Sequence, residues 1–379
     1  MNFEFTETQL MIKETAREFA EKVLAPSADE RDEREEFPFE AVAKMGELGF
    51  MGMMVSEQYG GAGLDTVSYV LAMEEISKVD ASAGVIMSVN NSLVTWGIET
   101  YGSEEHKQKY LKDLATGKKL GAFALSEPEA GSDATNQRTS ASKDGDYYLL
   151  NGTKNFITNG ANADVIVVMA ATDRSKGAHG VSTFIVEKGT PGFFVAKKER
   201  KLGIRSSDTV SMAFEDCRIP KENLIKEEGF GMKFALRTLD GGRIGIASQA
   251  LGIAQGSLEA SIQYSKQRKA FDHTIAQFQA IQFKIADMAT NVEAARMLTL
   301  RAASLKDLGV NYGPAAAMAK LYASKVAVLS SLEAIQIHGG YGYVREYKVE
   351  RFLRDSKITE IYEGTSEIQK IVIARSLLQ

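Results

Sequence analysis

The hydrophobic pattern of this chain changes period twice, and that restricts the fold more than any single residue does. From residue 1 to about 120, apolar side chains recur every three or four positions. Met11, Ile12, Ala16, Phe19, Val23 and Leu24 form one such series, and Val67, Tyr69, Val70, Leu71, Met73 and Ile76 another. This is the repeat of an amphipathic helix. The loop around Gly60, Gly61 and Gly63 separates two of these segments. Between about 121 and 229 the apolar runs become short and β-branched, as in Asp164–Met169 and Ser182–Val186. Asn159-Gly160, Gly177, Gly180 and Pro191-Gly192 punctuate them, the mark of antiparallel strands joined by tight turns. From 230 to 379 the helical repeat returns, rich in alanine and nearly free of proline. Such blocks predict an α+β chain with an all-α domain over 1–120, a β domain over 121–229 and a helical domain over 230–379, rather than alternating βαβ units.

Composition then removes whole classes of function. A chain of 379 residues can bury a large core without a disulfide or metal staple. Its single cysteine, Cys217, can form neither an internal disulfide nor a cysteine-rich metal site, and it suits a reducing compartment. The four histidines, His106, His179, His273 and His338, are scattered, so no metal centre is expected. Forty-five Lys and Arg against 50 Asp and Glu leave a net charge of −5, without the basic excess of a nucleic-acid binder. The short basic run Lys197–Lys201 carries its own Glu199 and reads as a solvated strand end. No run approaches 18 apolar residues, and the opening MNFEFTETQL lacks the basic and apolar regions of a signal peptide. A cytoplasmic protein with no membrane partner is therefore expected. Neither G-x-G-x-x-G, nor Walker A, nor H-E-x-x-H, nor G-x-S-x-G occurs.

Six segments carry more than an ordinary helix or hairpin needs. Phe123-Ala-Leu-Ser-Glu-Pro-Glu-Ala-Gly-Ser-Asp133 lies at the first change of period, where Pro128, Gly131 and Ser132 suit a turn with outward N–H groups or a plain linker. Asn151-Gly-Thr-Lys-Asn-Phe-Ile-Thr-Asn-Gly160 reads as a strand ending in a turn. Leu239-Asp-Gly-Gly-Arg-Ile-Gly245 enters a long helix with glycines that weaken it. Arg268-Lys-Ala-Phe271 is followed by Gln277-Phe-Gln279, and Glu333-Ala-Ile-Gln-Ile-His-Gly-Gly-Tyr-Gly342 reads as a helix running into a glycine-rich turn. Finally, Ile361-Tyr-Glu-Gly-Thr-Ser-Glu-Ile-Gln369 opens the last helix, where Ser366 and Gln369 can form a capping box.

Together, in this order, the six segments resemble the acyl-CoA dehydrogenase family over the whole chain. Met87-Ser-Val-Asn-Asn-Ser-Leu93 and Ile361–Glu367 are most similar to its short-chain, butyryl-CoA branch. The resemblance implies an N-terminal helical domain, a central antiparallel β-barrel and a C-terminal four-helix bundle. It also implies FAD bound without a Rossmann fold, in homotetramers whose flavins touch a neighbouring subunit. The implied reaction removes hydrogen from Cα and Cβ of an acyl-CoA thioester to give the trans-2-enoyl-CoA. By the same resemblance Glu363 is the base that removes the α-proton. Its backbone N–H, with a ribityl hydroxyl of FAD, polarises the thioester carbonyl while the β-hydride passes to flavin N5.

The implied FAD contacts are Phe123, Leu125, Ser126, Gly131 and Ser132, then Phe156, Ile157 and Thr158. Across a subunit interface they are Arg268, Phe271, Gln279, Gln336, Ile337, His338, Gly339 and Gly340. Thr365, Ser366 and Glu367 complete them. The implied substrate contacts are Ser132, Asp240, Arg243, Tyr362 and Gly364. A minority branch carries its base on the helix of the Asp240–Arg243 motif, but the matching position here is Gly242, which cannot act as one. Asp272 stands where the family often has Gly, so a carboxylate beside FAD phosphates has to point away. Trp96 either shortens the acyl pocket or packs as a half-buried ring. A distal carboxylate on the substrate would need a cation, but Gly84 stands at the family's Arg position, and no Arg occurs between Arg34 and Arg138. The expected electron acceptor is electron-transfer flavoprotein. Alternatives are a short branched-chain acyl-CoA dehydrogenase, an acyl-CoA oxidase that makes peroxide, and a non-catalytic helical scaffold.

Overall fold

The computed structural model describes residues 4–378; residues 1–3 and 379, at the outer edges of the expected first and last domains, lie outside it. The N-terminal part is helical throughout: α1 (Glu7–Phe19), α2 (Ala28–Arg34), α3 (Phe39–Glu47), α4 (Thr66–Ser77), α5 (Ala81–Ser88), α6 (Trp96–Tyr101), α7 (Glu104–His106) and α8 (Lys112–Ala115). Local chemistry sets the starts of these helices. Thr6 and Gln9 close a capping box on α1, and the Asp65 and Asp80 carboxylates accept the first free N–H groups of α4 and α5. Between α5 and α6, Val89–Thr95 continue the helix with a wider π turn, a distortion that often marks functional positions.

The middle part is one seven-stranded sheet: β1 (Gly121–Ala124), β2 (Ser140–Asp144), β3 (Tyr147–Thr158), β4 (Val165–Ala171), β5 (Val181–Glu187), β6 (Phe193–Lys198) and β7 (Thr209–Pro220). The strands pair in the order β1-β4-β2-β3-β7-β6, with β5 against β4. Most pairs are antiparallel, as the turn residues predict. The β1–β4 pair is parallel, Gly121 opposite Val165 through Ala124 opposite Val168, so the sheet is mixed rather than wholly antiparallel. Burial on both faces explains the unbroken apolar run of β4.

The C-terminal part is built from α9 (Gly231–Gln267), α10 (Gln279–Asp307), α11 (Gly313–His338), α12 (Val349–Ile358) and α13 (Ser366–Leu378), with a small hairpin of β8 (Lys269–Ala270) and β9 (His273–Thr274) after α9. α9 is about 55 Å long at 1.5 Å per residue. α9, α10 and α11 pack on one another, and α13 lies on α11. Their contacts are lined by small residues, among them Ala247, Ala250, Ala254, Ala316, Ala319 and Ala323, which let the helices approach closely. The three parts are tied together around α12. Its Arg354 donates to Asp32 of α2 at 2.7 Å and to the Leu202 carbonyl at 3.2 Å. Its buried Asp355 accepts the Ile204 N–H. Among the described residues, no helix is long and apolar enough to cross a membrane, and no group of three ligating side chains could hold a metal.

Candidate active site

The loop between α12 and α13 brings Glu363 onto α9. Glu363 and Gly364 both have left-handed backbones, φ 51° and 91°. That conformation is uncommon for a residue with a side chain and persists only where its surroundings hold it. Here the carbonyl of Gly364 accepts from Lys320 Nζ and from Gln369 Nε2, each at 2.8 Å, and Gln369 also reaches the Glu363 carbonyl at 3.3 Å. Thr365 caps α13, its hydroxyl accepting the Ile368 N–H at 3.3 Å. The capping box expected between Ser366 and Gln369 does not form, because the Gln369 amide is drawn back onto the two loop carbonyls.

The glycines of the Leu239–Gly245 segment are explained by what they face. α9 starts at Gly231, so the segment lies inside the helix and not at its entrance. A Cβ at 242 would overlap Oε2 of Glu363 and crowd Leu93, and one at 245 would overlap Ser88 Oγ and crowd the hydroxyl of Tyr69. Gly242 thus makes the space in which the carboxyl sits. Glu363 as a whole is half-buried, yet its Oε2 is shut off from solvent and has no hydrogen-bond partner. Burial pushes the carboxyl up to about 7, against the opposing charges of Lys320 and Arg243. Next to it, the Tyr362 hydroxyl donates to Gln249 Oε1, and Gln249 Nε2 donates to the Ala81 carbonyl at 2.7 Å. Arg243 is buried and paired with Asp240, with its Nε left unpartnered. Trp96 is half-buried, with its ring edge-on to Tyr101 and under the Lys306 ammonium.

A second group forms where the first sheet strand meets β3. Glu127 and Ala130 exchange backbone hydrogen bonds at 3.1 Å, folding 127–130 into a tight turn that leaves Gly131 and Ser132 exposed. The Asn155 N–H donates to the Ser126 carbonyl at 2.8 Å and ties this turn to β3. Lys154, 0% exposed, completes the weld by donating to the Leu125 carbonyl (3.1 Å), Glu127 Oε1 (2.7 Å) and Gln137 Oε1. Burial drives Lys154 down to about 8 despite Glu127. Burial works against the Glu127 charge too, but Lys154 and the Arg138 and Thr139 N–H groups hold that carboxyl below its ordinary value. Phe123, Leu125 and Ile157 are buried, Thr158 is half-buried, and Phe156 stands 67% exposed at φ 59°.

The third group lies at the far end of α9. A cavity of about 540 Å³ is lined by Tyr264, Arg268, Ile337, His338, Gly339 and Gly340, among others. His338 stacks on Tyr264 with ring centroids 4.1 Å apart, and Arg268 lies over Tyr341. Gln279 and Gln336 are exposed, and Phe271 is 89% exposed at φ 51°, with Asp272 exposed beside it. Ser366 is half-buried and Glu367 exposed at the start of α13.

These residues suit a flavin dinucleotide. Cβ atoms at Gly131, Gly339 and Gly340 would meet nothing within 4 Å, so all three backbones are open to a ligand. The group around Gly131 offers an apolar surface for a ring and hydroxyl and N–H donors for a polyol, and the separate group around Gly339 and Gly340 offers the Arg268 cation for phosphate. The sequence reading gave no role at the site to Lys154, Lys320 or Gln249, and gave Gln369 only a helix cap. Their only signal was a lysine or amide at a position with helical or strand periodicity.

Comparison with known proteins identifies the family. The acyl-CoA dehydrogenase N-terminal, middle and C-terminal domain models match residues 6–118, 122–217 and 229–378. The short-chain specific acyl-CoA dehydrogenase of Clostridium acetobutylicum is 51% identical over 379 residues, covering all of both chains. The butyryl-CoA dehydrogenase structure from Megasphaera elsdenii superposes with a TM-score of 0.99 at 48% identity, again over all of both chains. A chain from a structure described as the electron transferring flavoprotein of Acidaminococcus fermentans, towards a mechanism of flavin-based electron bifurcation, does so at 0.99 and 54%, with full coverage of both. With three domain models in sequence order and full-length relatives at about half identity, this chain belongs to the acyl-CoA dehydrogenase family, whose members are FAD flavoproteins.

Proposed function

We propose that this protein oxidises short-chain acyl-CoA, of which butyryl-CoA is the type, to the trans-2-enoyl-CoA, with Glu363 as the base. The observation that carries the proposal is the Glu363 carboxyl itself. Its Oε2 is shut off from solvent and unpartnered, and burial raises the carboxyl to about 7, so close to neutrality it can both lose and take a proton. An α-proton beside a thioester is weakly acidic, and a base freed from water is the group that can remove it. The backbone N–H of Glu363 is assigned to the thioester oxygen, where it steadies the charge that develops as the proton leaves. Asp240 and Arg243 face the CoA portion, with Ser132, Tyr362 and Gly364 as further substrate contacts. Bound FAD supplies the acceptor for the β-hydride.

The chain's own contribution is to hold that cofactor. The 123–132 turn and Phe156–Thr158 take the ring end, and Thr365–Glu367 lie alongside. Arg268, Phe271, Gln279 and Gln336–Gly340 take the phosphate and adenine end. Arg268, the residue that caps the C-terminus of α9, lies 25 residues beyond Arg243, about 38 Å along the helix axis. The Arg268 group of one chain is therefore remote from its own Glu363–Arg243 site, which supports a homotetramer in which a neighbouring subunit supplies that group. Exposed Phe283, Leu308, Leu329, Leu332 and Tyr343 offer the apolar surface such an assembly needs. Domain boundaries near 120 and 229 follow the same reading. The relatives named for short chains, and the packing of Leu93 beside the base, with Tyr69, Ser88 and the Tyr362–Gln249 pair filling the adjoining stretch of α9, favour a short acyl group. Gly84 lies against the Ser77 hydroxyl with no space for a cation, which disfavours a dicarboxylic substrate. The Acidaminococcus structure supports electron-transfer flavoprotein as acceptor.

The test is the visible spectrum of the purified protein under anaerobic conditions. A yellow flavin spectrum should bleach on addition of butyryl-CoA. Glu363→Gln should keep FAD and CoA binding, fail to bleach, and turn over several orders of magnitude more slowly. A protein that stays colourless after FAD reconstitution removes the enzyme and favours the scaffold. Rapid peroxide formation in air would make it an oxidase.

A further inference from the structure

Lys320 sits within α11 and is 0% exposed. A buried ammonium is costly, and a methionine would fill the same space without that cost. Its hydrogen bond goes to a peptide carbonyl, Gly364 O, at 2.8 Å, and not to a carboxylate that would cancel its charge. That carbonyl belongs to the left-handed pair Glu363–Gly364, and Gln369 occupies its other side.

We propose that Lys320 is a positioning residue for the base, pinning the Glu363–Gly364 turn from α11 while directing an uncancelled positive charge at the Glu363 carboxylate. The proposal rests on the assignment of Glu363 as the base. Four groups face that carboxyl: Lys320 from α11, Arg243 from α9, Tyr69 from α4 and the adjacent Tyr362. Lys320 in turn faces Glu363, Arg243, Glu360 and Glu367. Of the two cations, Arg243 is already held by Asp240. Burial alone would keep the base protonated near neutrality, and the Lys320 charge opposes that by favouring the ionised form.

The test compares wild-type, Lys320→Met, Lys320→Arg and Glu363→Gln holoenzymes. kcat/KM is followed against pH with butyryl-CoA, because that profile reports the free enzyme's base. In Lys320→Met the acid limb should move up by about one pH unit, which lowers the ionised fraction at pH 7 about fivefold. Lys320→Arg should return the limb toward its original position. The carboxyl infrared band of Glu363, identified by its loss in Glu363→Gln, should titrate at correspondingly higher pH in Lys320→Met. If Lys320→Met does not fold, Lys320→Gln removes the charge while keeping a donor for Gly364 and is read in the same way. A limb and a band that stay put, with the loss confined to thermal stability, would overturn the proposal. Substantial turnover by Glu363→Gln would instead overturn the base assignment, so the two failures are distinguishable.

Discussion

Lys154 and Lys320 are both fully buried, and burial pushes both down to about 8, yet they do opposite things with their charge. In the sheet, Lys154 has three acceptors for three N–H donors, and one of them is the Glu127 carboxylate. Its charge is cancelled on the spot, and what remains is a rigid joint between the 123–132 turn and β3. In the helical domain, Lys320 has a carbonyl as partner, and its field extends to Glu363. The same residue type at the same depth is a weld in one region and a source of potential in the other. The acceptor set decides which.

The largest effect should come from breaking the weld. Lys154→Met leaves Glu127 buried without its cation and should cost about 3–5 kcal/mol in denaturant unfolding. Lys154→Met combined with Glu127→Leu should recover most of that loss, because no charge is then stranded. Lys320→Met strands no carboxylate and should cost clearly less. A loss equal to that of Lys154→Met would erase the distinction.

Next in size is the stability cost of the base. Folding raises Glu363 from 4.5 to about 7. Its favourable contribution, as the protonated acid, is complete below pH 4.5 and is lost as the pH rises through 7. Relative to wild type, Glu363→Gln should therefore gain up to about 3 kcal/mol between pH 4.5 and pH 8, at about 1.36 kcal/mol for each pH unit between 4.5 and 7. Subtracting wild type at each pH cancels Asp355, which burial also raises to about 7. A difference that does not vary with pH would show the carboxyl to be solvated rather than sealed.

Gly242→Ala probes the base region without adding or removing a charge. The added methyl displaces the carboxyl and Leu93, and turnover should fall up to about 100-fold while FAD absorbance is retained. Unchanged turnover would mean that the loop moves freely, contrary to its being pinned by Lys320 and Gln369.

Much of the architecture was legible because burial imposes a period of 2 on strands and 3.6 on helices, and this chain switches cleanly between them. The Asn159-Gly160 turn, the Gly339 stop after α11 and the Glu363 loop were also visible, since glycine and loop chemistry leave local marks. Strand partners leave none, so the parallel β1–β4 pair went unseen. The capping role passed from Ser366 to Thr365 because Gln369 is claimed by carbonyls of the base loop, a competition that exists only once the loop has folded. Gly242 and Gly245 looked like a weakness at a helix entrance. Inside α9 they make room for a carboxylate and for a pair of hydroxyls.

The sequence by itself determined the order of helical and sheet blocks, a single cysteine that cannot form an internal disulfide, and the motif that carries Glu363. Those properties depend on composition and on neighbours a few residues apart. The tertiary structure alone decided which lysines lose their water, which acceptors they meet, and that a carboxyl at 363 lies against a glycine at 242. Desolvation and charge interaction act through space, between residues 27, 43 and 121 positions apart, and no local pattern of residues records them.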